Sequence, residues 1–402
     1  MGRHRPGARG NAEAEGRRQK AEVKAEGRRQ KAEGRSKGRS KSRSPVRPLR
    51  PPLSLPLLLP SAFCLLPCLT IPPALSRYLT LARPFTLLPP LLGIISGAIC
   101  AWGSAHNPDP ERALTLSVIL TVTLGSVCAS LLNAANNSIN QIYDLEIDRI
   151  NKPKRPLVTG EIPLRKAWAI TWMWYALGII PTWLVVVYPY NSFSQKLFAP
   201  LAYHECFFIY LAAFFFTLIY SAPGWGRTKR NGTLANLTIS IPRGMLLKVA
   251  GWSMVAHVYS AEPWFIGAIF MLFLFGAAST KDFSDMEGDR AGGCITWPIR
   301  YGPKKAAWLM VPSFILPWLL IPLGTVLRDP WHPELPILTG DPTMLTILGI
   351  ALAVWGAYTS WLLVRNPDDL TSTENHPSWR HMYLMMMAAQ VGFAAAYVSL
   401  RA

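Results

Sequence analysis

The sequence predicts an all-α, polytopic membrane protein with about nine transmembrane helices in a bundle around a central cavity. Half of its 402 residues are apolar and only 16% are charged, whereas about a quarter is usual for a soluble chain. Continuous apolar runs, each about as long as a spanning helix, recur along most of the chain. Because these runs are continuous rather than alternating, a membrane-spanning barrel of strands is excluded.

The N-terminal segment, residues 1–50, is strongly basic and accounts for most of the net charge of +18. It holds 17 Lys and Arg against five Glu, and it contains the near-repeat EGRRQKAE at 15–22 and 26–33. A segment with so few apolar side chains cannot bury a core, so we predict that it is disordered. Basic blocks of this kind contact anionic lipid or nucleic acid in some proteins, but nucleic acid is not an expected partner here.

Residues 51–77 are apolar but rich in proline, which removes a helix hydrogen bond and clashes with the preceding turn. We therefore interpret them as a linker rather than a span. The rest of the chain, residues 78–402, is the predicted membrane domain. Its apolar runs are 85–102, 113–139, 168–188, 205–222, 234–258, 264–280, 307–327, 344–364 and 381–400.

The distribution of positive charge predicts the orientation of these spans, because Lys and Arg concentrate in cytoplasmic loops. With the N-terminus in the cytoplasm, the four cytoplasmic loops hold 16 Lys and Arg, and the four opposite loops hold three. The cytoplasmic loops are 140–167, 223–233, 281–306 and 365–380. We therefore predict a multi-pass integral membrane protein with a cytoplasmic N-terminus.

The second predicted span ends in polar residues spaced four apart, which lie along one face of a helix. These residues are Asn136, Asn140, Asp144 and Asp148. A carboxylate costs about 2.5–3.5 kcal/mol at the centre of a spanning helix, so nearby groups must compensate for it. The sequence NKPKRP follows and brings Lys152, Lys154 and Arg155 close to the two aspartates.

The sixth predicted span ends in a similar cluster. Asp285 and Asp289 are again four residues apart, Asp282 lies one turn before Asp285, and Lys281 precedes Asp285 by four residues. The charge distribution predicts that both clusters lie on the cytoplasmic rim, at the ends of helices 2 and 6. There we expect carboxylates that are wet and repelled by one another.

Two acidic clusters on one rim favour a shared ligand over simple helix-end charges, which would be sufficient for either cluster alone. Facing carboxylates repel one another unless they are protonated or bridged by cations. Mg²⁺ is usually bound by a few carboxylates together with substrate phosphates. The pattern thus predicts Mg²⁺ ions with a diphosphate between them, and Lys and Arg side chains on the remaining phosphate oxygens.

These motifs resemble those of the UbiA superfamily of intramembrane prenyltransferases, and the resemblance covers about residues 78–400. The first family motif, N-D-x-x-D-x-x-x-D, stands here from Asn140 to Asp148, and the second, D-x-x-x-D, stands from Asp285 to Asp289. The segment YSAPGWGRTKRNGTLANL is similar to the Tyr- and Lys-bearing loop between the fourth and fifth helices. The sequence departs from the first motif at Gln141, where the family has Asp, and an amide offers a metal ion an oxygen without a charge.

The resemblance implies a Mg²⁺-dependent transfer of an isoprenyl group from an allylic diphosphate to an aromatic or other lipophilic acceptor, through a carbocation. The implied metal ligands are Asn140, Asp144, Asp148, Asp285 and Asp289. The implied contacts of the diphosphate are Arg83, Lys152, Arg155, Arg227, Lys229 and Lys281, although positive-inside anchoring also accounts for basic residues at these places. Tyr143 and Tyr220 are candidate contacts of the acceptor or the cation.

Two other functions stay open from the sequence. A membrane phosphotransferase of the CDP-alcohol type also uses paired aspartates and Mg²⁺, but EGDRAGG matches its motif only faintly. A cation transporter would carry its carboxylates near the midplane of the membrane, whereas these lie at the ends of spans. Within the prenyltransferase interpretation, the acceptor is homogentisate-like, chlorophyllide-like, a quinone precursor or an archaeal-type lipid.

Overall fold

The structure is a computed structural model, and it describes residues 73–399 except 188, 374 and 375. The predicted disorder of residues 1–50 and most of the predicted linker over 51–77 lie outside the described residues. All the regular elements that are described are helices, and they belong to one compact unit. The α-helices are α1 (Pro73–Ala82), α2 (Leu88–Gly103), α3 (Leu116–Tyr143), α4 (Leu145–Asn151), α5 (Leu164–Ile179), α6 (Phe193–Leu197), α7 (Glu205–Ser221), α8 (Gly232–Ser240), α9 (Leu247–Trp252), α10 (Ala261–Ala277), α11 (Met286–Ala291), α12 (Trp297–Tyr301), α13 (Pro303–Gly324), α14 (Pro342–Arg365), α15 (Pro367–Ser372) and α16 (Pro377–Val398).

The predicted apolar runs coincide with helical segments of the structure, which supports a multi-pass helical protein. Among the described residues, five helices are long and apolar enough to cross a membrane. They are Leu116–Tyr143, Ala261–Lys281, Pro303–Gly324, Pro342–Arg365 and Pro377–Val398. Helices α2 and α7 are apolar but shorter, so the count of nine spans stays a prediction.

The predicted span over 234–258 is built from three helical pieces that follow one another directly. Helix α8 runs into a π-helical segment, Ile241–Leu246, which runs into α9. Pro242 lies in this segment and has no backbone N–H to donate, so regular α-helical bonding is interrupted there. Wide π turns inside α-helices often occur at functional sites, and this one faces the cavity described below.

Small residues let the helices approach closely, as is usual where helices pack in membranes. A Cβ on Gly251 of α9 would overlap the Ile94 carbonyl oxygen of α2, and one on Gly97 would lie 2.7 Å from the Lys248 carbonyl oxygen. Both separations are far below van der Waals contact. A larger side chain at either glycine would therefore force α2 and α9 apart.

A cluster of aromatic side chains holds α10, α13 and α16 together. The Trp318 ring of α13 lies 4.8 Å from the Phe273 ring and 5.9 Å from the Phe270 ring, both on α10. The Phe393 ring of α16 lies 5.9 Å from that of Phe270. All four side chains are fully buried, so they form part of the core between these three helices.

Candidate active site

The first aspartate pair lies where α3 passes into α4. The Asp144 backbone N–H donates to the Asn140 carbonyl at 2.9 Å, and the Asp148 N–H donates to the Asp144 carbonyl at 2.8 Å. Helical bonding therefore continues through the junction, and Asn140, Asp144 and Asp148 stay on one side as their spacing predicts. The two aspartates are 3% and 6% exposed, so they are buried rather than wet.

The second aspartate pair flanks the start of α11. Asp285 precedes the helix, and the Asp289 N–H donates to its carbonyl at 3.0 Å. Asp289 is buried, and Asp285 is only half-buried. The two carboxylates therefore have different surroundings, although their spacing is the same as that of the first pair.

Two hydrogen bonds of Asn151 connect the segments that carry the two aspartate pairs. The Asn151 side chain of α4 donates to the Asp285 carbonyl at 3.0 Å and accepts from the Gly288 N–H at 3.0 Å. A Cβ on Gly288 would lie 2.5 Å from the Asn151 side chain, so only glycine permits this contact. Lys152, the next residue, lies 3.3 Å from the Asp285 carboxylate.

The loop between α7 and α8 adds positive charge to the same place. Lys229 Nζ lies 2.5 Å from Asp144 Oδ2, and Arg227 Nη2 lies 3.2 Å from Asp144 Oδ1. The loop is fastened to the segment after α11, because the Ile295 N–H donates to the Arg230 carbonyl at 3.0 Å. Arg155, which follows α4, pairs with Asp148.

Two of the predicted diphosphate ligands have strained backbones. Arg83 has φ 57° and Arg227 has φ 41°, in the left-handed region that side chains other than glycine rarely adopt. Such strain persists only where the surroundings hold it, and it is often found at functional sites. Both arginines lie beside the aspartate pairs, so the strained backbone and the clustered charges occur at the same site.

A cavity of about 330 Å³ opens next to the aspartates and extends into the bundle. Its mouth is polar, with Arg83, Asn140, Lys281 and Asp282, and its deeper wall is largely apolar. The deeper lining includes Pro89, Ile94, Ala129, Leu132, Ile209, Tyr210, Ala213, Phe216, Leu246, Leu247, Ala250, Leu274, Met382 and Met386. The site thus joins a highly charged rim to an apolar interior.

Burial and like charges shift the pKa values of the acidic groups. Burial raises the pKa of Asp289 to about 6, Lys229 opposes that rise, and the other three motif aspartates add to it. Burial and the nearby Asp289 raise the pKa of Asp282 to about 8. Because carboxylates from both motifs influence Asp289, they form one electrostatic unit.

The cations of the site respond to the same field. Burial lowers the pKa of Lys229, but the Asp144 carboxylate together with Tyr220 and Asp289 outweighs this effect and raises the pKa above its ordinary value. Burial, with Arg155 and Arg243 close by, lowers the pKa of Arg83. Lys229 is therefore held firmly protonated beside the aspartates.

The two candidate tyrosines lie in different surroundings. Tyr220 lines the cavity. The Tyr143 ring packs edge-on against Trp168 at 5.5 Å and does not belong to the cavity lining. The bond that Arg227 donates to Tyr143 goes to the backbone carbonyl of that residue, at 3.3 Å, and not to its ring. In this arrangement Tyr143 packs the outside of α3, and Tyr220 is the tyrosine that a ligand in the cavity would meet.

Gln141 has a structural role that its place in the motif did not predict. Its side-chain amide donates to the Leu81 carbonyl of α1 at 2.9 Å and to the Asn137 carbonyl at 3.0 Å. The side chain is buried, and these bonds commit its amide nitrogen to backbone carbonyls. The expectation that its oxygen serves a metal ion stays a prediction.

The structure adds polar residues to the cavity that the sequence analysis did not select. They include Arg243 in the π-helical segment and Trp379 and Tyr383 in α16. The Lys281 ammonium lies 5.1 Å from the centre of the Trp379 ring. Arg243 interrupts an apolar run, and a charge inside a predicted span is by default a functional candidate, so this signal was present in the sequence.

The donor set suits Mg²⁺ acting together with a phosphate ligand. Within the described part of the chain, no three acidic, His or Cys side chains converge closely enough to hold a metal ion by themselves. Mg²⁺ usually takes one or two protein carboxylates and fills its other positions with water and substrate phosphates. The two aspartate pairs offer such partial ligand sets, and Asn140 offers a neutral oxygen beside them.

Comparisons with known proteins agree with this site. A model of the UbiA prenyltransferase family matches residues 87–384. The chain is 25% identical over 322 residues to a digeranylgeranylglyceryl phosphate synthase of Methanobrevibacter smithii, an alignment that covers 80% of this chain and 97% of the relative. It is 29% identical over 233 residues to a probable homogentisate phytyltransferase 2 of Oryza sativa subsp. japonica, covering 56% of each.

The fold is shared with a solved structure. A UbiA homologue from Archaeoglobus fulgidus, bound to DMAPP and Mg²⁺, superposes with a TM-score of 0.56 at 19% sequence identity. The superposition covers 81% of this chain and 100% of that one.

Proposed function

The chain belongs to the UbiA prenyltransferase family, and we propose that it moves an isoprenyl group from an allylic diphosphate to a lipophilic acceptor within the membrane. One observation carries the proposal: the two aspartate pairs meet beside a cavity that Asn140 and Asp282 line at its polar end and whose deeper wall is largely apolar. A charged diphosphate suits the rim and a prenyl tail suits the interior. A ligand with both parts satisfies the whole site.

The residues of the rim would hold the diphosphate and stabilise it as it leaves. Bound Mg²⁺ would supply Lewis-acid neutralisation of the phosphate charge. Lys229 and Arg227 now lie against Asp144, and a short movement of either side chain would bring it to a phosphate oxygen. Arg83 and Lys281 lie at the mouth, where they would neutralise charge that develops when the carbon–oxygen bond breaks.

The interior would protect the reactive allylic cation that remains. Its wall contains Phe216 and Tyr220, whose ring faces attract positive charge. The apolar lining excludes water, which would otherwise capture the cation. An electron-rich acceptor entering beside Tyr220 would attack the allylic carbon and lose a proton, which the released diphosphate on the rim can accept.

Neither alternative function gains support. The match to the UbiA family extends across both aspartate pairs, whereas the CDP-alcohol type accounts for only one of them. A cation transporter needs carboxylates near the midplane, but Asp144 and Asp285 flank helix ends beside Lys and Arg side chains. The cytoplasmic orientation of the rim remains a prediction from the loop charges.

The acceptor remains open, because the similar proteins use different ones. One is a synthase of digeranylgeranylglyceryl phosphate, another is a probable homogentisate phytyltransferase, and a third is a bacteriochlorophyll synthase chain. We expect comparison of lipid extracts by mass spectrometry, from cells with active protein and with an Asp285→Asn variant, to reveal the prenylated product. A lipid that appears equally in both extracts is not the product.

Transfer of a radiolabelled allylic diphosphate to a panel of acceptors tests the proposal directly. Purified protein in lipid nanodiscs should transfer label with Mg²⁺ and lose activity in EDTA. Asp285→Asn should lower the rate at least a hundredfold. Glu146→Gln is the matched control, because Glu146 is an exposed carboxylate of α4 paired with Arg149. The proposed chemistry would be refuted if EDTA left the transfer rate unchanged, or if Asp285→Asn and Glu146→Gln lowered the rate equally.

A further inference from the structure

We infer that a septum formed by Tyr210, Gly125 and Met254 closes the inner end of the cavity and limits the length of the prenyl chain that this protein accepts. The inference rests on the proposed function, because it assumes that the prenyl tail occupies the cavity. It goes further by assigning the length limit to named residues that lie far from the charged rim.

The cavity follows the helices inward for about three turns. On α3 its lining extends from Asn140 to Ala129, and on α7 it extends from Ser221 to Ile209. At 1.5 Å per residue these stretches are about 16 and 18 Å long. The lining along the π-helical segment and α9 ends at Ala250, so three separate walls stop at a similar depth.

Tyr210 lines the inner end of the cavity, and Gly125 and Met254 lie one helical turn beyond that depth. Gly125 precedes Ala129 by one turn of α3 and so lies deeper in the bundle. The Tyr210 hydroxyl donates to the Gly125 carbonyl at 2.8 Å. A Cβ on Gly125 would overlap Met254 Cε, so the methionine side chain already fills the space beside this glycine. Tyr210 and Met254 are 3% and 2% exposed.

A second cavity, of about 320 Å³, begins on the other side of the septum. Its lining includes Met254 and Thr121, which is one turn beyond Gly125 on α3. The nearly buried Lys196 also lines it and donates to the Thr121 hydroxyl. Space therefore exists on both sides of a barrier that is about two turns thick on α3, between Ala129 and Thr121. The inner end of the first cavity is closed by side chains rather than by the edge of the bundle.

The depth corresponds to about four isoprene units. An extended chain advances about 3.5 Å for every three backbone bonds, so an isoprene unit of four bonds advances about 4.7 Å. A depth of about 16–18 Å then holds nearly four units. A geranylgeranyl chain fills the cavity to Ala250, and the fifth unit of a geranylfarnesyl chain meets Tyr210 and Met254.

Binding of prenyl diphosphates of increasing length tests the inference without relying on turnover. The probes are the non-hydrolysable thiolodiphosphates with three, four and five isoprene units, titrated with Mg²⁺ against the full chain in nanodiscs. The wild type should bind the five-unit probe at least tenfold more weakly than the four-unit probe. Met254→Ala should reduce that difference below threefold, and Ala250→Phe should move the tenfold loss to the step from three to four units.

Met310→Ala is the matched control, because Met310 is a fully buried methionine that lines neither cavity, and it should keep the wild-type profile. If Met254→Ala does not fold, the opposite shift in Ala250→Phe decides the matter. An identical length profile in every variant would overturn the inference, since the tail would then leave sideways between helices, while the proposed function would stand. Failure of all three probes to bind would overturn both.

Discussion

Replacing Asp289 with asparagine should remove catalysis and at the same time stabilise the metal-free protein. Burial raises the pKa of Asp289 from 3.8 to about 6 in the folded protein. A carboxyl group whose pKa is raised by folding opposes folding when it is ionised. Each difference of one in pKa corresponds to about 1.36 kcal/mol, so ionised Asp289 destabilises the fold by at most about 3 kcal/mol.

The sign of the effect fixes its dependence on pH. Below about pH 4 the carboxyl is protonated in both the folded and the unfolded states and contributes nothing. Between about pH 4 and 6 the unfolded state loses its proton first, so the fold loses stability, and above about pH 6 the full effect is present. The amide of the asparagine variant would be neutral throughout. The gain in stability from Asp289→Asn should therefore reach up to about 3 kcal/mol at pH 8 and vanish near pH 4.

Thermal unfolding in detergent micelles with EDTA, at pH 8 and near pH 4, measures this difference. A second arm adds Mg²⁺ and a prenyl thiolodiphosphate, which should stabilise the wild type by mass action but not the variant. Glu146→Gln serves as the control at an exposed carboxylate and should change neither measurement. The reasoning is refuted if Asp289→Asn destabilises the protein at pH 8, or if its effect is the same at both pH values.

Four further outcomes are expected. Asp144→Ala should abolish transfer and lower the free energy of unfolding by about 3–5 kcal/mol, because its two buried cationic partners lose their counter-charge; unchanged denaturation would contradict this. Gln141→Asp should lower stability by about 1–3 kcal/mol, by loss of its donated bonds, and a gain in stability would count against it. Deleting residues 1–50 should leave the specific activity within about twofold, and a larger loss in protein that still inserts normally would contradict the prediction. Cysteine labelling should find loops 140–167 and 281–306 on the same side, and opposite accessibility would reverse the predicted topology.

The helical architecture could be predicted from composition and patterning alone, because the length and polarity of an apolar run are local properties of the chain. The family resemblance drawn from two motifs is confirmed by the family match over residues 87–384. Spacing also predicted that Asp144 and Asp148 share a side of one helix and that Asp285 and Asp289 meet them. The prediction for Asp144 and Asp148 follows from helical periodicity. The prediction that Asp285 and Asp289 lie near them follows from the fact that both motifs stand at the ends of predicted spans.

The surroundings of the aspartates could not be predicted in the same way. The sequence suggested wet carboxylates that repel one another and whose removal costs little stability. The structure instead buries Asp144 between Arg227 and Lys229, which come from a loop more than 80 residues later in the chain. A contact at such separation leaves no periodic signal in the sequence. The expected effect of Asp144→Ala on stability therefore changes from slight to severe.

The structural role of Gln141 did leave a periodic signal. Asn133, Asn137 and Gln141 are spaced four apart, as are Asn136, Asn140 and Asp144, so α3 carries two polar stripes rather than one. Tyr175 donates to Asn136 at 2.9 Å, and Asn140 lines the cavity. The stripe that contains Gln141 has a different function, which its contacts with α1 and with Thr86 make clear.

That stripe fixes the backbone on both sides of Arg83. Gln141 donates to the Leu81 carbonyl and Asn137 to the Ala82 carbonyl, both at 2.9 Å, while Asn133 donates to the carbonyl of Thr86, also at 2.9 Å. Arg83 lies between these anchored carbonyls with φ 57°, a conformation that its surroundings must impose. An aspartate at position 141 could accept but not donate such a bond. The glutamine thus exchanges a charge of the motif for a donor that holds Arg83 at the mouth of the cavity, where the proposed chemistry needs positive charge.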